Sequence, residues 1–192
     1  MKIMPSGPDA ALEAAKVLNR SGTVVFRTET VYGLGALPDD ENAVKRLYDT
    51  KKRSPDKPLQ ILVKNREQVE LLTSEISKTA DQLMEKFWPG PLTLVFKKAK
   101  SVPDIVSANG PTVGLRMPDD PFLLVLIGLV GPIASTSANL SGQPDPKTAD
   151  EIKIEADLLI DGGPAGTGRP STVIDVSSDV PKILRQGDIS PF

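Results

Sequence analysis

Apolar residues recur along the chain with two spacings, that of an amphipathic helix and that of a short buried strand. Ala11, Ala14, Ala15 and Leu18 stand at i, i+3, i+4 and i+7 and predict a first helix over residues 9–20. The β-branched run 23–26 predicts a buried strand, followed by the glycine-bearing tract TETVYGLG at 28–35. A second helix opens near Asp40 as cap, with Val44, Leu47 and Tyr48 on its buried stripe. Residues 59–63 form the next strand, 66–72 and 77–87 two helical stretches, and 91–96 and 112–116 two further strands. Asp119, Asp120 and Pro121 look like a cap and first turn of a helix running to residue 129. Because that helix is apolar all round, the pattern predicts a central, buried element. A strand over 132–136 ends in Ser137-Ala138-Asn139; a short helix at 149–154 and strands at 157–160, 171–176 and 182–185 complete the series. Helices and strands alternate irregularly, which favours an α/β fold with an open, mixed sheet over a strictly doubly wound one.

Composition narrows the chemistry. The 192 residues suit one globular domain, or at most two fused lobes. With no cysteine and no histidine, thiol catalysis, zinc–cysteine sites, Ser-His triads and the commonest general base are all excluded. A net charge of −2 gives no global field for nucleic acid. The N-terminus lacks the apolar core of a signal peptide, and the run 122–130 is too short to span a bilayer, so a soluble, cytoplasmic protein is expected. The 18 prolines, roughly 9% of the chain, are dispersed beside glycines and suggest fixed loops on a rigid scaffold.

Three tracts carry candidate chemistry. Lys51 lies seven residues after Val44, at the end of the buried stripe, with Arg53 in the loop beyond. A Lys-x-Arg pair leaving a helix towards a cleft can hold a polyphosphate, although cations at a helix C-terminus also simply answer its dipole. Ser137-Ala138-Asn139 sits past a buried strand, where open α/β sheets gather their ligands; a capped turn uses the same residue types. The tract 28–35 gathers hydroxyls, a carboxylate and a phenol around glycines. By contrast, Gly163 and Gly168 have Walker spacing, but Arg169 and Pro170 stand where Lys and Ser/Thr are required, so no P-loop is present.

Seven blocks in order, TETVYGLG (28–35), KKRSPDKPL (51–59), FWPGPLTLVF (87–96), TVGLRMP (112–118), STSANLSGQP (135–144), DGGPAGTGRPSTVID (161–175) and ILRQGDI (183–189), resemble the YrdC-like threonylcarbamoyl-AMP synthases over nearly the whole chain. The resemblance implies an open, twisted α/β sheet with flanking helices and a large concave surface, formed as one domain over 1–192. It implies conversion of ATP, L-threonine and bicarbonate to threonylcarbamoyl-AMP and pyrophosphate, for tRNA modification completed by separate threonylcarbamoyl-transfer proteins. The family's catalytic motifs fall on Lys51, Arg53, Ser137 and Asn139. By similarity Arg53, Lys57, Thr112, Ser137, Asn139 and Arg185 contact ATP, and Thr30, Tyr32, Arg116, Thr136 and Ser171 contact threonine. No metal is expected on protein ligands, the magnesium ion being held largely by the triphosphate. Two departures stand out: Arg27 replaces a proline common in relatives, and the strand Gln60-Ile61-Leu62-Val63 lacks a histidine that many carry. A second, C-terminal domain of some relatives is not expected, which marks the short form. A double-stranded RNA-binding module, and a carbamoyl-adenylating domain like that of hydrogenase maturation proteins, are the alternatives; direct binding of tRNA or double-stranded RNA stays open.

Overall fold

The computed structural model describes residues 1–191; Phe192, the last residue of the expected domain span, lies outside them. Among the described residues, ten strands form one mixed sheet: β1 (Lys2–Pro5), β2 (Val24–Phe26), β3 (Gly33–Ala36), β4 (Gln60–Leu62), β5 (Leu92–Lys97), β6 (Thr112–Arg116), β7 (Ile133–Ser137), β8 (Leu158–Asp161), β9 (Thr172–Asp175) and β10 (Lys182–Arg185). Their spatial order is β1-β8-β2-β3-β7-β4-β6-β5-β9-β10. Pairs β1/β8, β2/β8, β4/β6 and β5/β9 are parallel; the other neighbours are antiparallel. The five α-helices of the described residues are α1 (Pro8–Leu18), α2 (Glu41–Lys51), α3 (Arg66–Leu72), α4 (Lys78–Phe87) and α5 (Pro121–Val130). The expected helix at 149–154 is a single 3-10 turn, Ala149–Glu151.

Strand alternation sorts the core into two layers. Val25, Leu34, Ile61 and Ala134 pack in one cluster with Val44 and Leu47 of α2, Val69 of α3, and Leu83 of α4. Val24, Phe26, Leu62 and Ile133 point the other way, onto Ala14 and Leu18 of α1 and Leu123, Leu126 and Ile127 of α5. Strands buried on both faces have continuous apolar runs, which is why β2 and β4 stood out in the sequence.

Two strands did not. β1 is short and exposed, with polar and proline ends. β3 reads as a loop because of its glycines, yet those glycines are what the strand requires. A Cβ at Gly35 would lie 2.7 Å from Phe26 Cε1 and 2.7 Å from Ile133 Cγ2, and one at Gly33 would lie 2.8 Å from Phe26 Cε2. The Phe26 ring lies across β3, and only glycine leaves room for it.

The expectation for α5 is corrected. It is not a central helix: Val125 is 52% and Leu129 48% exposed. It lies on the outside of the sheet beside α1; the stripe Leu123, Leu126 and Ile127 is buried in the core, with Phe122 and Val130 half-buried at its edge. Uniform apolarity removed the periodic contrast that distinguishes the inner from the outer face.

Candidate active site

Where α1 and α5 stop covering the sheet, that same face stays open and forms a cavity of about 370 Å³. Its floor is made by alternate residues of neighbouring strands: Ser135 and Ser137 of β7, Gln60 of β4, Thr112, Gly114 and Arg116 of β6, Thr93 and Val95 of β5, and Val173 of β9. Loop residues Thr28, Thr30, Arg53, Asp145 and Ser171, with Arg185 of β10, build the walls. Arg53, Arg116, Arg185 and Asp145 are the charged lining residues, so the lining carries a positive excess suited to an anionic ligand. Burial lowers all three guanidinium pKa values from their usual level. Like-charged Arg116 adds to the lowering at Arg185, which Asp145 opposes.

Arg116 ends β6 and is 3% exposed. Its Nη1 donates to Thr30 Oγ1 at 3.0 Å, and its Nη2 lies 3.6 Å from Glu29 Oε2. Thr30 Oγ1 in turn shares a hydrogen bond of 2.7 Å with Thr28 Oγ1. Among the described residues, the buried side-chain atoms with no hydrogen-bond partner are Glu29 Oε1 and Oε2 and Arg116 Nε. Orphaned buried polar atoms are rare and costly in a finished core. Arg116 lines the cavity, so its orphaned Nε marks a place where a ligand or water completes the bonding.

The helix-end cations divide. Lys51, 2% exposed, donates to the carbonyl oxygens of Ser137 and Asn139, both at 2.5 Å, and to Asn139 Oδ1 at 2.9 Å. Burial, with the like charge of Arg53 second, pushes its ammonium down to about 8. Lys51 therefore holds the exit of β7 from behind and is not a lining residue. Ser137 Oγ donates to Asn139 Oδ1 at 2.6 Å, and Asn139 Nδ2 to Gln143 O at 2.5 Å. Lys52 occupies a left-handed C-cap with φ 50°. The chain then turns, and Arg53 reaches the wall with Nε 3.3 Å from Lys57 O and Nη2 2.9 Å from Pro58 O. The Lys57 side chain is exposed and lies outside the lining.

Of the other expected residues, Thr30, Tyr32, Thr112, Arg116, Thr136, Ser137, Ser171 and Arg185 line the cavity, whereas Asn139 does not. The Tyr32 phenol is engaged elsewhere. It donates to Gly163 O at 2.7 Å and accepts from Gly162 N at 3.3 Å, and burial raises its pKa to about 12. Arg27 pins the end of β2 through Asp120 Oδ2, at 2.9 and 3.2 Å, and Gly162 O at 3.0 Å. It joins the α5 cap to the loop after β8, a connection that proline cannot make. Gln60, Thr93, Ser135 and Asp145 were not singled out in the sequence.

A model of the Sua5/YciO/YrdC family, described as telomere recombination, matches residues 16–187. The chain belongs to this family. It is 45% identical over 183 residues to a threonylcarbamoyl-AMP synthase of Pyrococcus abyssi, and 43% identical over 184 residues to one of Bacillus subtilis. The alignments take in 92% and 93% of this chain, but 53% of each relative, so the chain spans about half their length. The crystal structure of P. abyssi Sua5 complexed with L-threonine superposes with a TM-score of 0.90 at 43% identity, covering 97% of this chain and 56% of that one. The mixed α/β architecture expected from the seven blocks is thus the family's fold. Among the described residues there is no group of three or more His, Cys, Asp or Glu side chains that could hold a metal ion, and no helix long and apolar enough to cross a membrane.

Proposed function

We propose that this protein is an L-threonylcarbamoyladenylate synthase, joining ATP, L-threonine and bicarbonate into threonylcarbamoyl-AMP with release of pyrophosphate. The observation that carries the reading is Arg116, a buried guanidinium with an unpartnered Nε at the wall of a cationic cavity. A carboxylate accepting from Nε and a neighbouring Nη would complete its bonding with two parallel hydrogen bonds. The names of the relatives, and the threonine bound to a Sua5 of the same fold, point to the amino acid as the donor of that carboxylate.

In this reading bicarbonate is dehydrated to carbon dioxide, and the threonine amine adds to it and loses a proton to form a carbamate, with water as the other product. A carbamate oxygen then attacks the α-phosphorus, the bond to the bridging oxygen breaks, and pyrophosphate leaves. No covalent nucleophile on the protein is required, which suits a chain without cysteine or histidine. Catalysis rests on positioning and on cations placed against the developing charge. Arg53 and Arg185 are the lining guanidiniums left for the phosphates, with Thr112 and Ser137 as hydroxyl partners. Lys51 and Asn139 act by fixing Ser137 and the turn after it. Lys57 reaches ATP only from the rim. Thr30, Thr136 and Ser171 surround the amino acid, and Tyr32 contributes through its backbone. Magnesium enters with the triphosphate as part of the substrate. Residues 1–192 act as one YrdC-like domain, in the cytoplasm, and hand the product to separate transfer proteins that modify tRNA.

A pyrophosphate-release assay, with ATP, threonine and bicarbonate omitted one at a time, tests the proposal. Release is expected only with all three; equal release without threonine refutes it. RNA binding that is lost at high salt, with no pyrophosphate from any mixture, would favour the RNA-binding alternative.

A further inference from the structure

The cavity floor contains a continuous hydrogen-bond chain that runs across the strands. Gln60 Nε2 points to Ser135 Oγ at 3.4 Å, and Gln60 Oε1 accepts from Thr93 Oγ1 at 3.0 Å. Thr93 Oγ1 and Ser171 Oγ are 2.8 Å apart, and Arg185 Nη2 donates to Ser171 Oγ at 3.2 Å. Thr93 and Ser171 are 4% and 2% exposed, so water does not freely replace these bonds. The chain crosses β6 because position 114 is glycine. A Cβ there would meet Thr93 Cγ2 at 3.3 Å and Gln60 Cβ at 3.8 Å, in the space through which the amide reaches Thr93.

The chain has a direction. A hydroxyl carries one hydrogen and two acceptor lone pairs. Thr93 spends its hydrogen on Gln60 Oε1, so in the 2.8 Å contact Ser171 is the donor and Thr93 the acceptor. Ser171 then has no hydrogen left, and Arg185 occupies one of its lone pairs. One lone pair remains, in a side chain that lines the cavity. One register step beyond the Leu94–Leu115 pair brings Thr93 beside Arg116, so this end of the chain lies next to the guanidinium assigned to the carboxylate.

We propose that Gln60 and Thr93 are positioning residues that fix the polarity of this chain, so that Ser171 meets the amino-acid substrate only as an acceptor. The inference rests on the reading of Arg116 given above. Ser171 does not compete with Arg116 for the carboxylate; it receives a donor of the same molecule, its ammonium or its hydroxyl. Gln60 sets which groups of the amino acid the floor accepts by acting through Thr93 and Ser171.

Calorimetric binding of L-threonine and L-valine to the parent protein and to Thr93→Val, Thr93→Ser, Gln60→Met and Gln60→Glu tests this, with ATP affinity and thermal midpoint measured on each. Thr93→Val leaves the Ser171 hydrogen without its acceptor and turns it towards the ligand. Threonine affinity should fall about 10-fold or more while ATP affinity changes by no more than about twofold, and Thr93→Ser should recover most of the loss. Gln60→Met should weaken threonine more than Gln60→Glu, because the carboxylate still accepts from Thr93. A loss confined to threonine assigns the donor to the hydroxyl; an equal loss for valine assigns it to the ammonium. If Thr93→Val does not fold, the order of the two Gln60 variants decides. A folded Thr93→Val that binds threonine as the parent does overturns the inference, and so does a Gln60→Glu weaker than Gln60→Met. A parent protein that binds no threonine overturns the functional reading itself, which is a different result.

Discussion

Replacing Lys51 with methionine removes one ammonium and keeps most of the packing volume, and its effect depends on pH in a way that can be worked out. The ammonium serves three acceptors: the carbonyl oxygens of Ser137 and Asn139 and the Asn139 side chain. Asn139 Oδ1 keeps a donor in Ser137 Oγ after the change, so two carbonyls lose their lysine partner. Each stranded buried acceptor costs about 1–3 kcal/mol, offset in part by relief of the buried charge. We expect Lys51→Met to lose about 2 kcal/mol at pH 7, or roughly 4–8 °C in thermal midpoint for a chain of this size.

The pH dependence follows from the depressed ammonium, at about 8 in the fold against 10.5 in the open chain. Below pH 8 both states carry the proton, and stability does not change with pH through this group. Between pH 8 and 10.5 the unfolded chain binds more protons than the folded one, so raising the pH stabilises the fold. The full shift corresponds to about 3 kcal/mol. Lys51→Met lacks this gain, so the stability gap between parent and variant should widen from pH 8 to 10.5. Subtracting the two urea-unfolding profiles, measured at half-unit intervals, cancels the titration of other lysines and tyrosines. A gap that stays flat across that window would refute the burial-depressed ammonium of Lys51.

Other expected outcomes are briefer. Gly35→Ala should destabilise by about 1–3 kcal/mol in urea unfolding, because the new methyl meets Phe26 and Ile133 at 2.7 Å. Lys52→Gly should stabilise by about 0.5–1 kcal/mol, since it relieves a left-handed residue with φ 50° at an exposed helix end. Arg53→Ala should lower turnover about 100-fold in the pyrophosphate assay, with the thermal midpoint little changed. Arg116→Lys should raise the KM for threonine with that for ATP nearly constant, because an ammonium cannot supply two parallel bonds to a carboxylate.

Much of this architecture was legible because strands buried on both sides and helices with one buried stripe leave strong patterns. β6 and β10 have the expected bounds, and α2 ends where the stripe Val44, Leu47, Tyr48, Lys51 ends. The failures share a cause. β3 carries its information in what its glycines omit, and α5 has no polar face to show which side is outward. Both depend on neighbours outside the element itself, Phe26 of the preceding strand and the distant Ile133 for β3, and the distant α1 for α5. The cavity floor has a local signal: Thr93 interrupts the apolar run of β5, Gln60 opens β4, and Ser135 follows Ile133 and Ala134 in β7. A polar residue at an alternate position of a buried strand faces either a satisfied core contact or a site, and three on one face of neighbouring strands β7, β4 and, across β6, β5 favour the site.

The Lys-x-Arg spacing shows how far a motif can carry and where geometry must take over. Seven residues after Val44, Lys51 has to lie on the inner side of α2, and the left-handed Lys52 has to reverse the chain before Arg53. Two cations two residues apart are thereby sent to opposite sides of β7's exit: one behind it, bonded to its carbonyls, the other at the cavity wall. A helix continuing through Arg53 would instead have placed the guanidinium about 200° around the axis from Lys51, away from the sheet. Helix termination at Lys51 is therefore part of the site. Loss of the brace loosens Ser137 and the turn beyond it, whereas loss of Arg53 leaves the wall standing without its charge. The two substitutions should separate in experiment even though they lie in one motif, Lys51→Met moving stability and activity together and Arg53→Ala moving activity alone.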